Sequence, residues 1–223
     1  MNNLSHITKI PLLLMLLSLS LLSACTTTPT NLVPIQVKKV SQANAWEMRG
    51  KLAVKTPEDN FSTNLYWLHT QAKNELKLTT MLGTTLLSLT TEHGMARLEV
   101  DGKTYEHHDA QQLLTNVTGW SIPVNALPLW ITGQVSPDDE VSSFDEKNRP
   151  VSLFTPSETP PWQVDFLKWQ HQSGAQIPRL LQLKRVDLRL KIQVNEWQAL
   201  ANSELSPSKN QIKNNTQMNA STR

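Results

Sequence analysis

The side chain with the most distinctive chemistry in this chain is the thiol of Cys25, the only cysteine in 223 residues. It follows Leu22-Ser23-Ala24, at the end of the apolar run Ile10 to Leu22. Small residues directly before a cysteine, at that place near an N-terminus, form the site that bacterial lipoprotein processing recognises. Cys25 is therefore expected to be the first residue of the mature chain, with a diacylglycerol on its sulfur and a palmitoyl chain on its new amino group. The apolar run is too short for the roughly 20 residues of a bilayer-spanning helix. Lys9 supplies the basic start of a signal peptide, so residues 1–24 read as a leader that is removed. One acyl chain binds a membrane marginally, at about 0.8 kcal/mol per buried methylene, whereas two or more hold stably. Thr26 follows the cysteine. In the general bacterial sorting rule an Asp there retains a lipoprotein at the inner membrane, so the expected address is the outer membrane, with the domain facing the periplasm.

The other groups that could do chemistry are few. His107-His108 could ligate a metal, but neighbouring residues on a strand point to opposite faces and no ligand cluster lies nearby. Asp138-Asp139-Glu140 and Asp145-Glu146 lack the spaced glycine loop of a calcium site and read as a solvated acidic loop. The chain has no Gly-x-Ser-x-Gly, His-Glu-x-x-His, Gly-x-Gly-x-x-Gly or phosphate loop. A single cysteine allows no intrachain disulfide, so packing must hold the fold. Loss of Met1–Ala24, whose one charged side chain is Lys9, lowers the formal charge from +2 to +1. That balance gives no footprint for nucleic acid. These observations argue against an enzyme and against a metal or other cofactor.

The elements that would position a functional surface are mostly strands. Thr26 to about Gln42 reads as a flexible tether, so residues 25–42 link the lipid to a domain at 43–200. From Trp46 the pattern has period two: Trp46, Met48, Gly50, Leu52 and Val54 fall on one face, with Glu47, Arg49, Lys51 and Lys55 on the other. Leu65 and Trp67, then Leu76 and Leu78, Leu87 and Leu89, and Leu98 and Val100 repeat the alternation. Gly94 and Asp101-Gly102 mark turns of an antiparallel meander. The period then changes. Asp109 caps a helix that should stop near Gly119, and a second, short piece carries Leu127, Trp130 and Ile131 up to Gly133, with Pro128 inside it. Val135 to Arg149 reads as a polar loop. Strands resume at Val151–Phe154 and Trp162–Trp169, a turn or longer loop takes Gly174 to Pro178, and strands follow at 180–183 and from Leu188 to about Trp197. Residues 201–223 form a polar tail too poor in large apolar residues to order itself.

About ten or eleven strands with two helices inserted midway predict a mainly β fold: one curved antiparallel sheet, wrapped into an incomplete barrel, with helices near 109–133 as a lid. The inner side chains would suit either a packed core or a cavity for an apolar ligand.

Several stretches in this order resemble the LolB family: Arg49-Gly50-Lys51-Leu52-Ala53, Leu65-Tyr66-Trp67, Leu78-Thr79-Thr80-Met81-Leu82-Gly83-Thr84, and above all Ile122-Pro123-Val124-Asn125-Ala126-Leu127-Pro128-Leu129-Trp130-Ile131-Thr132-Gly133. The resemblance implies a half-open barrel with a helical lid and a hydrophobic cavity. It implies an outer-membrane lipoprotein that receives lipoproteins from the soluble periplasmic carrier LolA and inserts them into the outer membrane. It also implies that a loop leucine, Leu82 here, addresses the bilayer. Met81 stands where a proline is common. Two large apolar residues at a turn tip are unusual in their own right, since tips are ordinarily polar.

Leu52, Val54, Leu65, Trp67, Leu76, Leu78, Leu98, Val100, Leu127, Trp130 and Ile131 are expected to line the cavity. Met81 and Leu82 are expected to form the membrane insertion loop. The partners would be a LolA-like carrier, lipoprotein acyl chains and outer-membrane lipids, with the protein itself a monomer. The alternative is a structural or partner-binding outer-membrane lipoprotein with a fully packed core.

Overall fold

A computed structural model describes residues 31–203; Cys25, the leader and the tail beyond Ser203 lie outside them. The strands are β1 (Leu32–Ile35), β2 (Ala45–Lys55), β3 (Asn60–His69), β4 (Lys73–Thr79), β5 (Thr85–Glu92), β6 (Met95–Val100), β7 (Lys103–His107), β8 (Glu140–Phe144), β9 (Pro150–Phe154), β10 (Gln163–Gln172), β11 (Ala175–Arg185) and β12 (Leu188–Asn202). Helices α1 (Ala110–Thr118) and α2 (Leu127–Ile131) lie between β7 and β8.

All strands join one antiparallel sheet in the order β7-β6-β5-β4-β3-β2-β12-β11-β10-β9-β8, with β1 added beside β12. The path ends at β7 and β8, which do not pair with each other among the described residues. The sheet is therefore open at one side, as the mainly β incomplete barrel requires. In β2 the alternation is obeyed: Trp46, Met48, Gly50, Leu52 and Val54 are buried while Arg49, Lys51 and Lys55 are exposed. Gly50 is needed at the seam between β2 and β12. A Cβ there would lie 2.0 Å from the Gln193 carbonyl oxygen, beside the β12 bulge between Val194 and Glu196.

Helix α1 starts where its sequence signals say. The Asp109 carboxylate accepts from the backbone N–H of Gln111 and Gln112, and Gly119 ends the helix at φ 76°. Helix α2 is a single short piece with Pro128 in its first turn, where a missing N–H is harmless. α1 packs against β6 and β7, and α2 against β11.

Three sequence expectations are corrected. The stretch expected to be tether up to Gln42 contains β1, and Val37 and Val40 are buried, with Val37 N–H donating to the Ser173 carbonyl at 2.8 Å. The packed domain thus begins near Leu32 rather than at 43. Pro34 hid this strand, but among the described residues β1 pairs only with β12, and an edge strand tolerates a missing donor. The polar stretch 135–149 contains β8, an edge strand paired, among the described residues, only with β9. Gly174 to Pro178 is not a loop: the turn is Ser173-Gly174, and β11 already runs from Ala175. Residues 175–179 have no register partner in β12, and Pro178 faces Trp169 next to a β10 bulge, so its missing N–H breaks no ladder bond there.

Candidate functional site

The register stacks apolar side chains in rows across the inner face of the sheet. Met48, Trp67, Leu76, Leu89 and Leu98 are direct cross-strand neighbours in turn. One pleat along, Gly50, Leu65, Leu78, Leu87 and Val100 form the next row. Period-two alternation puts both rows on the same side. The segment from α1 to α2 covers them with Leu114, Ile122, Val124 and Leu127, while Trp120 stacks on Phe61 with ring centroids 5.2 Å apart.

Between sheet and lid lies an apolar cavity of about 30 Å³, walled, among the described residues, by Leu, Ile, Val and Trp side chains. Six of the residues expected to line a cavity meet there: Leu52, Leu65, Trp67, Leu76, Leu78 and Leu127. The others are packed elsewhere. Val54, Leu98, Trp130 and Ile131 are fully buried in the core, and Val100 packs partly buried against it. Trp130 lies outside the cavity lining, and its Nε1–H donates to Asp139 Oδ2 at 2.9 Å. Leu190 and Ile192 of β12 line the cavity although only their strand was legible, and Trp120 and Ile122 arrive from the lid connection. Their periodicity marked burial but not which buried residues face empty space.

A second cavity of about 290 Å³ adjoins the first and shares Trp67, Leu76, Leu89 and Val124 with it. The first volume is far below the roughly 300–1,000 Å³ of a typical ligand pocket, so the lid stands closed over the apolar rows, while the second is about the size of a small pocket.

The loop between β4 and β5 is a small hydrogen-bonded structure that projects two apolar side chains. Thr80 N–H donates to the Thr84 carbonyl at 2.8 Å, Gly83 N–H to the Thr80 carbonyl at 3.0 Å, and Thr84 N–H to Thr80 Oγ1 at 3.1 Å. Gly83 takes φ 89°, which a side chain would resist. Leu82 is 96 % exposed and Met81 68 %. They do not fold back on the core.

The acidic loop has local partners. Asp139 accepts from Ser136 N–H as well as from Trp130, and Asp145 grips Arg149 through two short hydrogen bonds. The Arg149 guanidinium holds the Asp145 carboxyl below its ordinary value and lies 5.0 Å over the Trp169 ring. His107 Nδ1 accepts from Asp109 N–H at 3.0 Å, at the entrance to α1. Among the described residues no helix is long and apolar enough to cross a membrane.

Comparison with known proteins agrees with this geometry. The family described as outer membrane lipoprotein LolB matches residues 44–197. An outer-membrane lipoprotein LolB from Shewanella woodyi is 66 % identical over 207 residues, covering 92 % of this chain and 97 % of the relative. The protein of the same name from Shewanella sediminis is 66 % identical over 209 residues, covering 93 % and 95 %. The crystal structure of a LolA superfamily protein from Nitrosomonas europaea covers 74 % of this chain and 88 % of its own at TM-score 0.47 and 7 % identity, too distant to add to the assignment. On the match across the whole folded region and the identity over nearly the full chain, this protein belongs to the LolB family of outer membrane lipoproteins.

Proposed function

We propose that this protein receives lipoproteins from a LolA-like soluble carrier and inserts them into the outer membrane, passing their acyl chains through the space between sheet and lid. It moves lipid and catalyses no covalent chemistry. Cys25 would carry the lipid that anchors it in the outer membrane, with the domain on the periplasmic side, and it would act as a monomer. The observation that carries the reading is the apolar cavity enclosed between the inner rows of the sheet and the lid.

The energetics favour contact transfer. A free C16 chain in water costs on the order of 10 kcal/mol, at about 0.8 kcal/mol per methylene. Cargo released into solvent would meet that barrier. Cargo handed from one apolar face to another would not. The closed cavity is too small for a chain, so α1, α2 and the segment between them must move for loading. Opening the lid alone would expose the rows of leucines, so opening is best coupled to arrival of the carrier. Leu82 would then touch the target bilayer.

The small volume also suits the alternative, a fully packed structural lipoprotein. Transfer of a labelled lipoprotein from loaded carrier to this protein, and onward into liposomes, separates the two. Transfer at a rate above that of carrier alone is the expected result. No transfer, together with no uptake of a fluorescent fatty acid, would leave the packed structural role.

A further inference from the structure

The inner face of the sheet changes character within one pleat. Next to the row Met48–Trp67–Leu76–Leu89, on the side of the β3–β4 turn, the row reads Trp46, His69, Asn74 and Thr91, again direct cross-strand neighbours. The Trp46 ring stacks on His69 at 5.0 Å, and His69 Nδ1 is hydrogen-bonded to Asn74 Oδ1. This row forms one wall of the 290 Å³ cavity, and the lid side adds Asn125 and Gln134. Among the described residues, no Lys, Arg, Asp or Glu lines it. Trp67 stands on the boundary between the two cavities. It is 2 % exposed, and its Nε1 is buried without a hydrogen-bond partner among the described residues.

We propose that the larger cavity seats the neutral polar junction of a lipidated protein, the glycerol esters and amide at which the acyl chains join the polypeptide. This rests on the acyl-chain reading above and adds a basis for selectivity. Ester and amide groups need neutral donors and acceptors, which Asn74, Thr91, Asn125 and Gln134 supply. A phospholipid with the same chains would bring a phosphate into a site that has no fixed cation to pair with it, and an unpaired buried charge is strongly disfavoured. The cavity therefore separates lipoproteins from the bulk lipid that surrounds them. The geometry also sets cargo polarity. The polar row lies where β3 turns into β4, and Leu82 lies beyond the opposite end of β4. Bound chains run from the polar row toward the end of the strand that carries Leu82.

The test is displacement of N-phenylnaphthylamine from the full chain by three short-chain ligands: decanol, a dioctanoylglyceryl-cysteinyl peptide, and dioctanoyl phosphatidylglycerol. Wild type should take the lipopeptide about tenfold more tightly than the phospholipid. Asn74→Leu with Thr91→Val should weaken the lipopeptide about tenfold, the worth of one or two hydrogen bonds, and leave decanol within twofold. Asn125→Ala, at an exposed lid position, gives a second variant that spares the sheet and should weaken the lipopeptide alone. Equal affinity for lipopeptide and phospholipid in wild type, or equal losses for lipopeptide and decanol in both variants, overturns the proposal while leaving the acyl-chain cavity standing. Failure of wild type to take up any of the three ligands overturns both.

Discussion

Replacing Leu82 by Glu should separate delivery from folding. The side chain is 96 % exposed, and the turn beneath it is held by backbone bonds among Thr80, Gly83 and Thr84. Folding stability should stay within about 0.5 kcal/mol of wild type, as for surface substitutions away from special features. The membrane contact is different. A leucine moved from water into an apolar phase gains about 1.5–3 kcal/mol. Each 1.4 kcal/mol is tenfold in an equilibrium constant, so losing this contact weakens engagement of the bilayer by roughly 10- to 150-fold. A carboxylate at the same position adds its own desolvation cost. The assay follows a labelled lipoprotein from loaded carrier to this protein and then into liposomes, with thermal unfolding run in parallel. The first step should proceed as in wild type and the second should slow by at least tenfold. Delivery at the wild-type rate would refute the argument. So would a matching fall in the unfolding midpoint, which would show that Leu82 supports the fold.

Other consequences can be measured independently. Gly133→Ala forces a side chain onto a residue at φ 75°, with its Cβ 2.5 Å from the Trp169 ring. Strain and overpacking together should lower stability by about 2–4 kcal/mol, and an unchanged denaturation midpoint would show that Trp169 yields freely. Asp139→Ala removes the acceptor of the buried Trp130 Nε1 and of Ser136 N–H. It should cost about 1–3 kcal/mol and speed amide exchange in residues 127–133, whereas unaltered exchange would mean the bond does not hold α2. Asp165 is governed first by burial, which raises its pKa, but bonds from Lys184, Gln163 and Ser152 outweigh burial and leave it below its ordinary value. A carboxylate with a lowered folded-state pKa contributes stability above its unfolded value, near 3.9, and loses it as pH falls through the folded value. Asp165→Asn should therefore flatten the loss of stability between pH 4 and pH 2, and urea titrations with parallel acid limbs would contradict this.

Most of the sheet was legible because burial on one face imposes period two: β6, β2 from Trp46 and β12 from Leu188 to Val194 follow it, while β5 buries Ser88 along with Leu87 and Leu89. The first lid helix was legible from the Asp109 carboxylate, which caps its start, and from Gly119, whose left-handed backbone ends it. What escaped was held by long-range pairing. β1 contains a proline and β8 reads Glu-Val-Ser-Ser-Phe, so neither carries a local strand signal, and each is fixed by a single neighbour. The cavity was half legible for a related reason. Alternation says that Val54, Leu98 and Trp67 point inward, but only the lid decides that Trp67 meets a void while Val54 and Leu98 meet atoms. The polar row was missed because His69, Asn74 and Thr91 lie on three strands and become neighbours only through the register.

The pairing of β1 with β12 limits how this domain can meet a membrane. Leu32 lies level with Asn202, whereas Thr79, at the base of the Leu82 loop, lies level with Gln193 through Asn64 and Lys51. At about 3.3 Å per residue the two levels are some 30 Å apart along the strands. Whatever their conformation, the residues from Cys25 to Leu32 span at most about 25 Å. If Cys25 is lipidated in the same leaflet that Leu82 touches, the barrel cannot stand with its strands upright on the bilayer, because one contact would lift the other out of reach. It must lie inclined, like a boat held by a short mooring line at one end while its other end touches the quay. An orientation measurement that found upright strands with Leu82 inserted would contradict this geometry.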